Sequence, residues 1–367
     1  MVNTLRDIAR ARLSNQRLIG AGFARPEEVV RWLGAVQAQD YAGAKWAVGQ
    51  RVQGCADDDV EQAFRDGRIL RTHVMRPTWH FVMPADIRWM LALTAPRVRA
   101  AMAYYDRKLE LTDRLCGRSY SVMAKALAGG NHLTREELAV VLERAGIQAA
   151  GQRLGNLMLR AELDAVICSG PRRGKQFTYA LLDERAPAAR PLARDEALAE
   201  LTSRYFSSHG PALPQDFAWW SGLTVADARR GIELAGRRLA PATVAGRTYW
   251  HAPAAPPPRR RGKPVHLLPN YDEYLIAYKE RSAVSERDPF RDFGRGDNLF
   301  ANHFVLVDGR LVGGWRRLFE KKTAIVELRL PVALGAVERK ALKAAADRFG
   351  AFLDLPARVR SAETPAR

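Results

Sequence analysis

Two carboxamides stand one residue apart in AVQAQDYAGAKWAVGQR, residues 35–51: Gln37 and Gln39, with Asp40 and Tyr41 directly behind them. A carboxamide has no usable pKa, so the pair cannot act as a general acid or base. Its chemistry is positional, because each carbonyl accepts hydrogen bonds and each NH2 group offers two donors. In an extended segment residues 37, 39 and 41 point one way and Asp40 the other, so Gln37, Gln39 and Tyr41 are expected to share a face. The plain alternative is that the glutamines cap a helix end or face solvent.

Other chemistry is poorly represented. The three cysteines, Cys55, Cys116 and Cys168, lie far apart without CxxC spacing, which argues against a disulfide framework or a zinc ribbon. The seven histidines form no metal-ligand grouping, so neither metal nor cofactor is expected. GPRRGK at 170–175 is one residue short of a phosphate loop and joins two strands, where such a loop needs a strand leading into a helix. It reads better as a basic turn. RGD at 295–297 reads as a turn as well. His73 and His80 bracket VMRPTW, and His80 is either a satisfied structural histidine or part of a site.

The charge is the strongest compositional signal. Fifty-eight Lys and Arg against 40 Asp and Glu give a net charge of +18, mostly from arginine. A surplus of this size points to a polyanion, and arginine's planar donor fork suits phosphates and guanine edges. An Arg-rich coding bias is the bland reading. The N-terminus is charged and carries no apolar signal region, and no apolar run reaches the ~20 residues of a membrane helix. A cytoplasmic, nucleoid-associated protein without membrane contact is expected.

The elements that position these residues repeat along the 367-residue chain. Amphipathic helices and then two short strands recur three times: PEEVVRWLGAV, DDVEQAFRDG and RILRTHVMRPTWHFV; HLTREELAVVLERAG, GQRLGNLMLRAEL and DAVICSGPRRGKQFTYALL; LPQDFAWWSGL, TVADARRGIELAG and RRLAPATVAGRTYWHA. Thr134 with Glu137 forms a capping-box pattern, and Thr224 is a plausible N-cap. Helix, helix and two-stranded wing is the winged-helix plan, a plan able to present a helix to a DNA groove and a wing to the backbone. Residues 1–112, 113–186 and 187–252 are expected to be three such units. A Pro- and Arg-rich linker follows at 253–264, and 265–367 reads as a small, mostly antiparallel sheet or barrel with strands in PVHLLPNYDEYLIAY, ANHFVLVDGRLVGGWRR and TAIVELRLPV. DGR supplies a tight hairpin turn. The fold class is α+β. Arg172, Arg173 and Lys175 in the second wing, and Arg259, Arg260 and Arg261 in the linker, are the candidate phosphate contacts.

Four stretches, in order along the chain, resemble the AlkZ/YcaQ-like DNA glycosylases: VQAQDY (36–41), MRPTWHFV (75–82), HLLPNYDEYLIAYKER (266–281) and VDGRLVGGWRR (307–317). The resemblance implies three tandem winged helices and a C-terminal β-barrel, no cofactor, and double-stranded DNA carrying alkylated bases or crosslinks as the partner of a monomeric enzyme. It places the family's catalytic glutamine at Gln37 and its second site residue at Gln39. Tyr41, Arg76 and His80 are candidates to line the same site. Glutamine at the second position is similar to the AlkZ branch, associated with self-resistance to a DNA-crosslinking antibiotic, and departs from the branch with aspartate there.

The chemistry so implied suits two amides. Cleavage of an N-glycosidic bond passes through an oxocarbenium-like state. A base alkylated at guanine N7 or adenine N3 is already cationic and departs neutral without protonation. What remains is to orient water and support the cationic sugar, which a neutral amide can do. No lysine except Lys45 lies near the pair, so a monofunctional enzyme without lyase activity is expected. The rival readings are a non-enzymatic winged-helix regulator and a drug-sequestering protein.

Overall fold

A computed structural model of the chain describes residues 2–186, 188–253, 262–285, 303–331 and 333–361. Helix α1 (Leu5–Asn15) opens the chain on a capping box made by Thr4 and Asp7. The next unit contains α2 (Pro26–Leu33), β1 (Val36–Gln37), α3 (Tyr41–Gly49), α4 (Asp57–Arg65), β2 (Leu70–His73) and β3 (Trp79–Val82), with the strands in the order β1-β3-β2. The long α5 (Ile87–Lys108) leads to α6 (Asp113–Leu127), β4 (Leu133–Thr134), α7 (Arg135–Arg144), α8 (Gly151–Leu163), β5 (Ile167–Ser169) and β6 (Thr178–Leu181), again ordered β4-β6-β5.

After the short α9 (Leu182–Arg185), a third set comprises α10 (Arg194–Ser208), α11 (Pro214–Ser221), α12 (Val225–Ala235), β7 (Ala240–Val244) and β8 (Arg247–His251). Here a single bridge from Ala212 to Trp250 takes the place of the first strand. Thr134 and Thr224 both cap as their sequences indicate: Thr134 Oγ1 accepts from Glu137 N at 3.2 Å and Thr224 Oγ1 from Asp227 N at 3.0 Å. Helices α5, α6 and α10 were not legible as parts of the repeat.

The C-terminal part holds β9 (Val265–Leu268), a helical turn α13 (Glu273–Ile276), β10 (His303–Val307), β11 (Arg310–Glu320), β12 (Thr323–Arg329), α14 (Ala336–Phe352) and β13 (Ala357–Ser361). Its strands form one sheet in the order β13-β12-β11-β10-β9. The DGR hairpin is present, with Asp308 and Gly309 both at positive φ. One expectation is corrected. NYDEYLIAY is not a strand, since Asp272 accepts from Tyr274 N and starts α13. The sheet is mostly antiparallel, with β12 and β13 paired in parallel. Among the described residues the sheet ends at β9 and β13 without closing into a barrel. No helix among them is long and apolar enough to cross a membrane.

Two shared cores fix the relative placement of these parts. Val36, Trp46, Phe64 and Phe81 of the first unit pack with Val305, Trp315, Val326 and Phe349 of the C-terminal sheet and α14. Trp46 Nε1 also donates to Leu267 O at 2.7 Å, and truncating so buried an aromatic typically costs ~3–5 kcal/mol. In the other core, Val74 and Met75 of the first unit join α5, α10–α12 and Tyr278. The loop after β2 approaches the turn after α11 so closely that a Cβ at Gly222 (φ +72°) would lie 2.2 Å from Met75 O. The first sheet is thereby clamped between the third helical set and the C-terminal sheet.

Candidate active site

Gln37 lies at the edge of the first sheet. Its neighbour Ala38 donates to Trp79 O across β3, so the Gln37 N–H points away from the sheet and needs another acceptor. Glu273 supplies it: Gln37 N donates to Glu273 Oε1 at 2.9 Å. The other oxygen, Oε2, accepts from Trp220 Nε1 at 2.8 Å and lies 3.4 Å from His209 Nε2. Glu273 is fully buried. The side chain of Gln37 is held as firmly, with Arg76 Nη2 donating to Gln37 Oε1 at 2.7 Å. Burial lowers the Arg76 guanidinium, and the charge of Glu273 acts against that.

Across the sheet Gln37 pairs with His80. His80 is fully buried, its Nδ1 lies 2.8 Å from Thr78 O, and its Nε2 has no hydrogen-bond partner among the described residues. Burial first, then Arg76, holds this imidazole well below its ordinary value, so the ring is neutral. It cannot bring positive charge to the site.

Gln39 is exposed, and its Oε1 accepts a long hydrogen bond of 3.4 Å from Trp79 N. The glutamines do not cap α3. That role belongs to Asp40, whose Oδ1 accepts from Gly43 N at 3.1 Å. Asp40 also pairs with Arg317 Nη2 of β11 at 3.3 Å, which brings the C-terminal sheet beside Gln39.

Tyr41 departs from expectation. The chain turns into α3 at this residue, so the extended alternation stops before it, and the ring packs edge-on against Phe64, Phe81 and Phe177. Its hydroxyl donates to Glu61 at 3.2 Å. Burial raises the phenol strongly and Glu61 adds to the effect. Tyr41 does not share a face with Gln37.

Arg172 is likewise drawn inward. It pairs with Glu61 at 3.1 Å, its side chain is only 18% exposed, and its guanidinium lies 4.9 Å from the Tyr41 ring centre and 5.3 Å from that of Phe177. Arg71 continues the column, between Phe177 at 4.5 Å and Trp79 at 4.3 Å. Phenylalanine and tyrosine faces attract guanidinium groups, so the β5–β6 hairpin is fastened to the first unit by stacking. Arg173 pairs with Glu137 at 2.7 Å, while Lys175 is exposed. Arg259, Arg260 and Arg261 lie outside the described residues.

Glu273 and Arg317 were missed as site residues. Both stand inside stretches that carry the family resemblance, and Glu273 is a carboxylate leading into the apolar run YLIAY, which is a signal for a paired buried acid. Lys45 is accounted for: its Nζ lies 2.6 Å from Asp57 and 2.8 Å from Glu61.

The interstrand DNA cross-link repair glycosylase of Streptomyces sahachiroi is 26% identical over 361 residues, spanning 90% of this chain and 92% of the relative. The solved structure of Streptomyces sahachiroi DNA glycosylase AlkZ superposes with a TM-score of 0.78 at 24% identity, over 98% of this chain and all of that one, and so shares the fold. A family model described as DNA glycosylase AlkZ-like matches residues 30–352, a span that takes in Gln37, Gln39, Arg76 and Glu273, and the chain therefore belongs to the AlkZ-like family of DNA glycosylases.

Proposed function

We propose that this protein is a monofunctional DNA glycosylase that removes cationic alkylated bases, N7-alkylguanine and N3-alkyladenine, and unhooks bulky or crosslinked adducts. The observation that carries the reading is the placement of Gln37 and Gln39: one amide locked at a sheet edge by Glu273 and Arg76, the other exposed two residues away. Water attacks C1′, the bond from C1′ to the base nitrogen breaks, and its electron pair neutralises the departing cationic base. The proton released by water passes to solvent. The amides position water and support the oxocarbenium-like sugar, and no acid is required. A site without a general acid leaves undamaged neutral bases alone.

The three helix-and-sheet sets are read as winged helices over 1–112, 113–186 and 187–252, followed by the linker at 253–264 and a C-terminal sheet domain over 265–367, whose described strands do not close into a barrel. The recurring strand order supports the first part of this reading. Absence of lyase activity is supported by the salt-bridged Lys45, whose amine is engaged by two carboxylates. DNA contact is assigned to Arg173 and Lys175 together with Arg259, Arg260 and Arg261. Double-stranded DNA is the partner, the working state is a monomer in the cytoplasm, and the name of the Streptomyces relative, an interstrand DNA cross-link repair glycosylase, supports the crosslink part of the reading; a role in surviving crosslinking antibiotics is proposed with it.

The test is incubation with duplex DNA containing N7-methylguanine, followed by alkaline cleavage at abasic sites, with a parallel crosslinked duplex read by denaturing gel. Strand breaks at the lesion and separation of the crosslinked strands are the expected results. Intact strands with tight, sequence-selective DNA binding would identify a regulator instead, and tight binding of the free drug a sequestering protein.

A further inference from the structure

Both ends of Gln37 are fixed. Its main chain is held by Glu273 Oε1 at 2.9 Å and its side-chain oxygen by Arg76 Nη2 at 2.7 Å. A guanidinium has donors and no acceptor, so the amide atom that faces Arg76 is the oxygen. The NH2 group is turned the other way and has no hydrogen-bond partner among the described residues. The charge of Glu273 offsets part of the cost of burying the Arg76 guanidinium, although no ion pair joins the two among the described residues. Trp220 Nε1, on the far side, donates to that carboxylate and fixes it. Gln39 shows the opposite character: its carboxamide is exposed and makes only one long contact.

We propose that Glu273 and Arg76 are positioning residues that present Gln37 as a hydrogen-bond donor, leaving Gln39 as the acceptor that orients water. The inference rests on the glycosylase reading above and divides the labour within it. As the bond from C1′ to the base breaks, its electron pair spreads into the base. The NH2 group of Gln37 donates to a ring nitrogen or carbonyl oxygen of the departing base on which that pair is shared. Gln39 Oε1 accepts from the attacking water, whose oxygen forms the new bond to C1′. A donor aimed where charge develops is worth more in a water-excluded site than in solvent, since it needs no reorganisation during the reaction.

Gln37→Glu tests the assignment, because it keeps the shape and the acceptors, offers Arg76 a stronger partner and removes the NH2 donors. The measurement is single-turnover excision of N7-methylguanine, with DNA affinity and melting temperature as controls. The expected result is a rate loss similar to that of Gln37→Ala, ~10²–10³-fold, at unchanged DNA affinity. The rate of Gln37→Glu should recover as pH falls towards the carboxyl range, where the protonated side chain regains a donor. Arg76→Met, which frees the amide to rotate, should also slow excision, and Arg76→Lys, which restores a donor to Gln37 Oε1, should recover much of the loss. A Gln37→Glu enzyme as fast as the wild type, with no acid recovery, would make Gln37 an acceptor and overturn the proposal. A wild-type protein that excises nothing would sink the glycosylase reading itself, an outcome distinct from an active wild type with an active Gln37→Glu.

Discussion

The main-chain N–H of Gln37 and the carboxylate of Glu273, 236 residues apart in sequence, meet at 2.9 Å in a fully buried contact. The same carboxylate serves Trp220, so one side chain ties the first unit, the third helical set and the C-terminal segment together. Glu273→Leu would leave two buried N–H donors without an acceptor. Removing one partner from such a network costs about 3–5 kcal/mol. The expected outcome is a lower urea midpoint with an unchanged slope, and a loss under ~1 kcal/mol would show the contact to be dispensable for folding.

Gln39 is exposed and does not cap α3, so its replacement should act on rate and not on stability. Gln39→Ala is expected to slow single-turnover excision ~10²–10³-fold while the melting temperature stays put. Gln39→Asp retains an acceptor for water and should stay active, whereas Gln39→Leu should match the alanine variant. Intact excision in Gln39→Ala would remove this residue from the chemistry.

Two of the three basic residues in the β5–β6 turn, Arg172 and Lys175, should part company. Arg172 is engaged by Glu61 and two aromatic rings, so Arg172→Ala is expected to lower stability by ~1–2 kcal/mol and leave the salt dependence of DNA binding unaltered. Lys175 is exposed, and Lys175→Ala should instead reduce the slope of log K against log salt by ~0.9 at constant stability. The reverse pattern, read from melting curves and salt titrations, would return Arg172 to the DNA-facing surface.

Borohydride trapping probes the engaged Lys45. With Nζ bound to Asp57 and Glu61, the amine is not placed to attack C1′. No covalent protein–DNA adduct is expected, and one that disappeared in Lys45→Ala would contradict the monofunctional assignment.

Acid should destabilise the fold through its neutral buried histidines. His303 Nδ1 accepts from Asn270 N at 2.9 Å, which a protonated ring that donates from both nitrogens cannot do. Burial, helped by Arg317, pushes this imidazole down to about 4. In the unfolded chain it returns to ~6.5, so between roughly 6.5 and 4 the unfolded state binds a proton that the folded state refuses. Stability is therefore full above the upper limit and falls as pH drops through this window, by up to roughly 3 kcal/mol from this residue. His80 and His209, also lowered by burial, add in the same direction. Melting temperature against pH should show the fall, and His303→Gln should flatten it.

Much of this protein is legible in its amino-acid sequence alone, wherever the relevant forces are local. Thr134 and Thr224 cap helices through side chains three residues away, and DGR closes a hairpin because Asp308 and Gly309 accept positive φ. Apolar spacing marks most elements of the three repeating sets, and four short stretches carry the family resemblance. Proximity across the chain is not legible in this way. Tyr41 shifts from an extended face to a helix once Asp40 caps α3, and Arg172 moves from wing tip to aromatic stack because Glu61 awaits it. Most of all, nothing around Gln37 announces Glu273. The pairing exists because an edge-strand N–H on one side of a shared core and a buried carboxylate on the other each lacked a partner, and only the packing of the first unit against the C-terminal segment brings them within 2.9 Å.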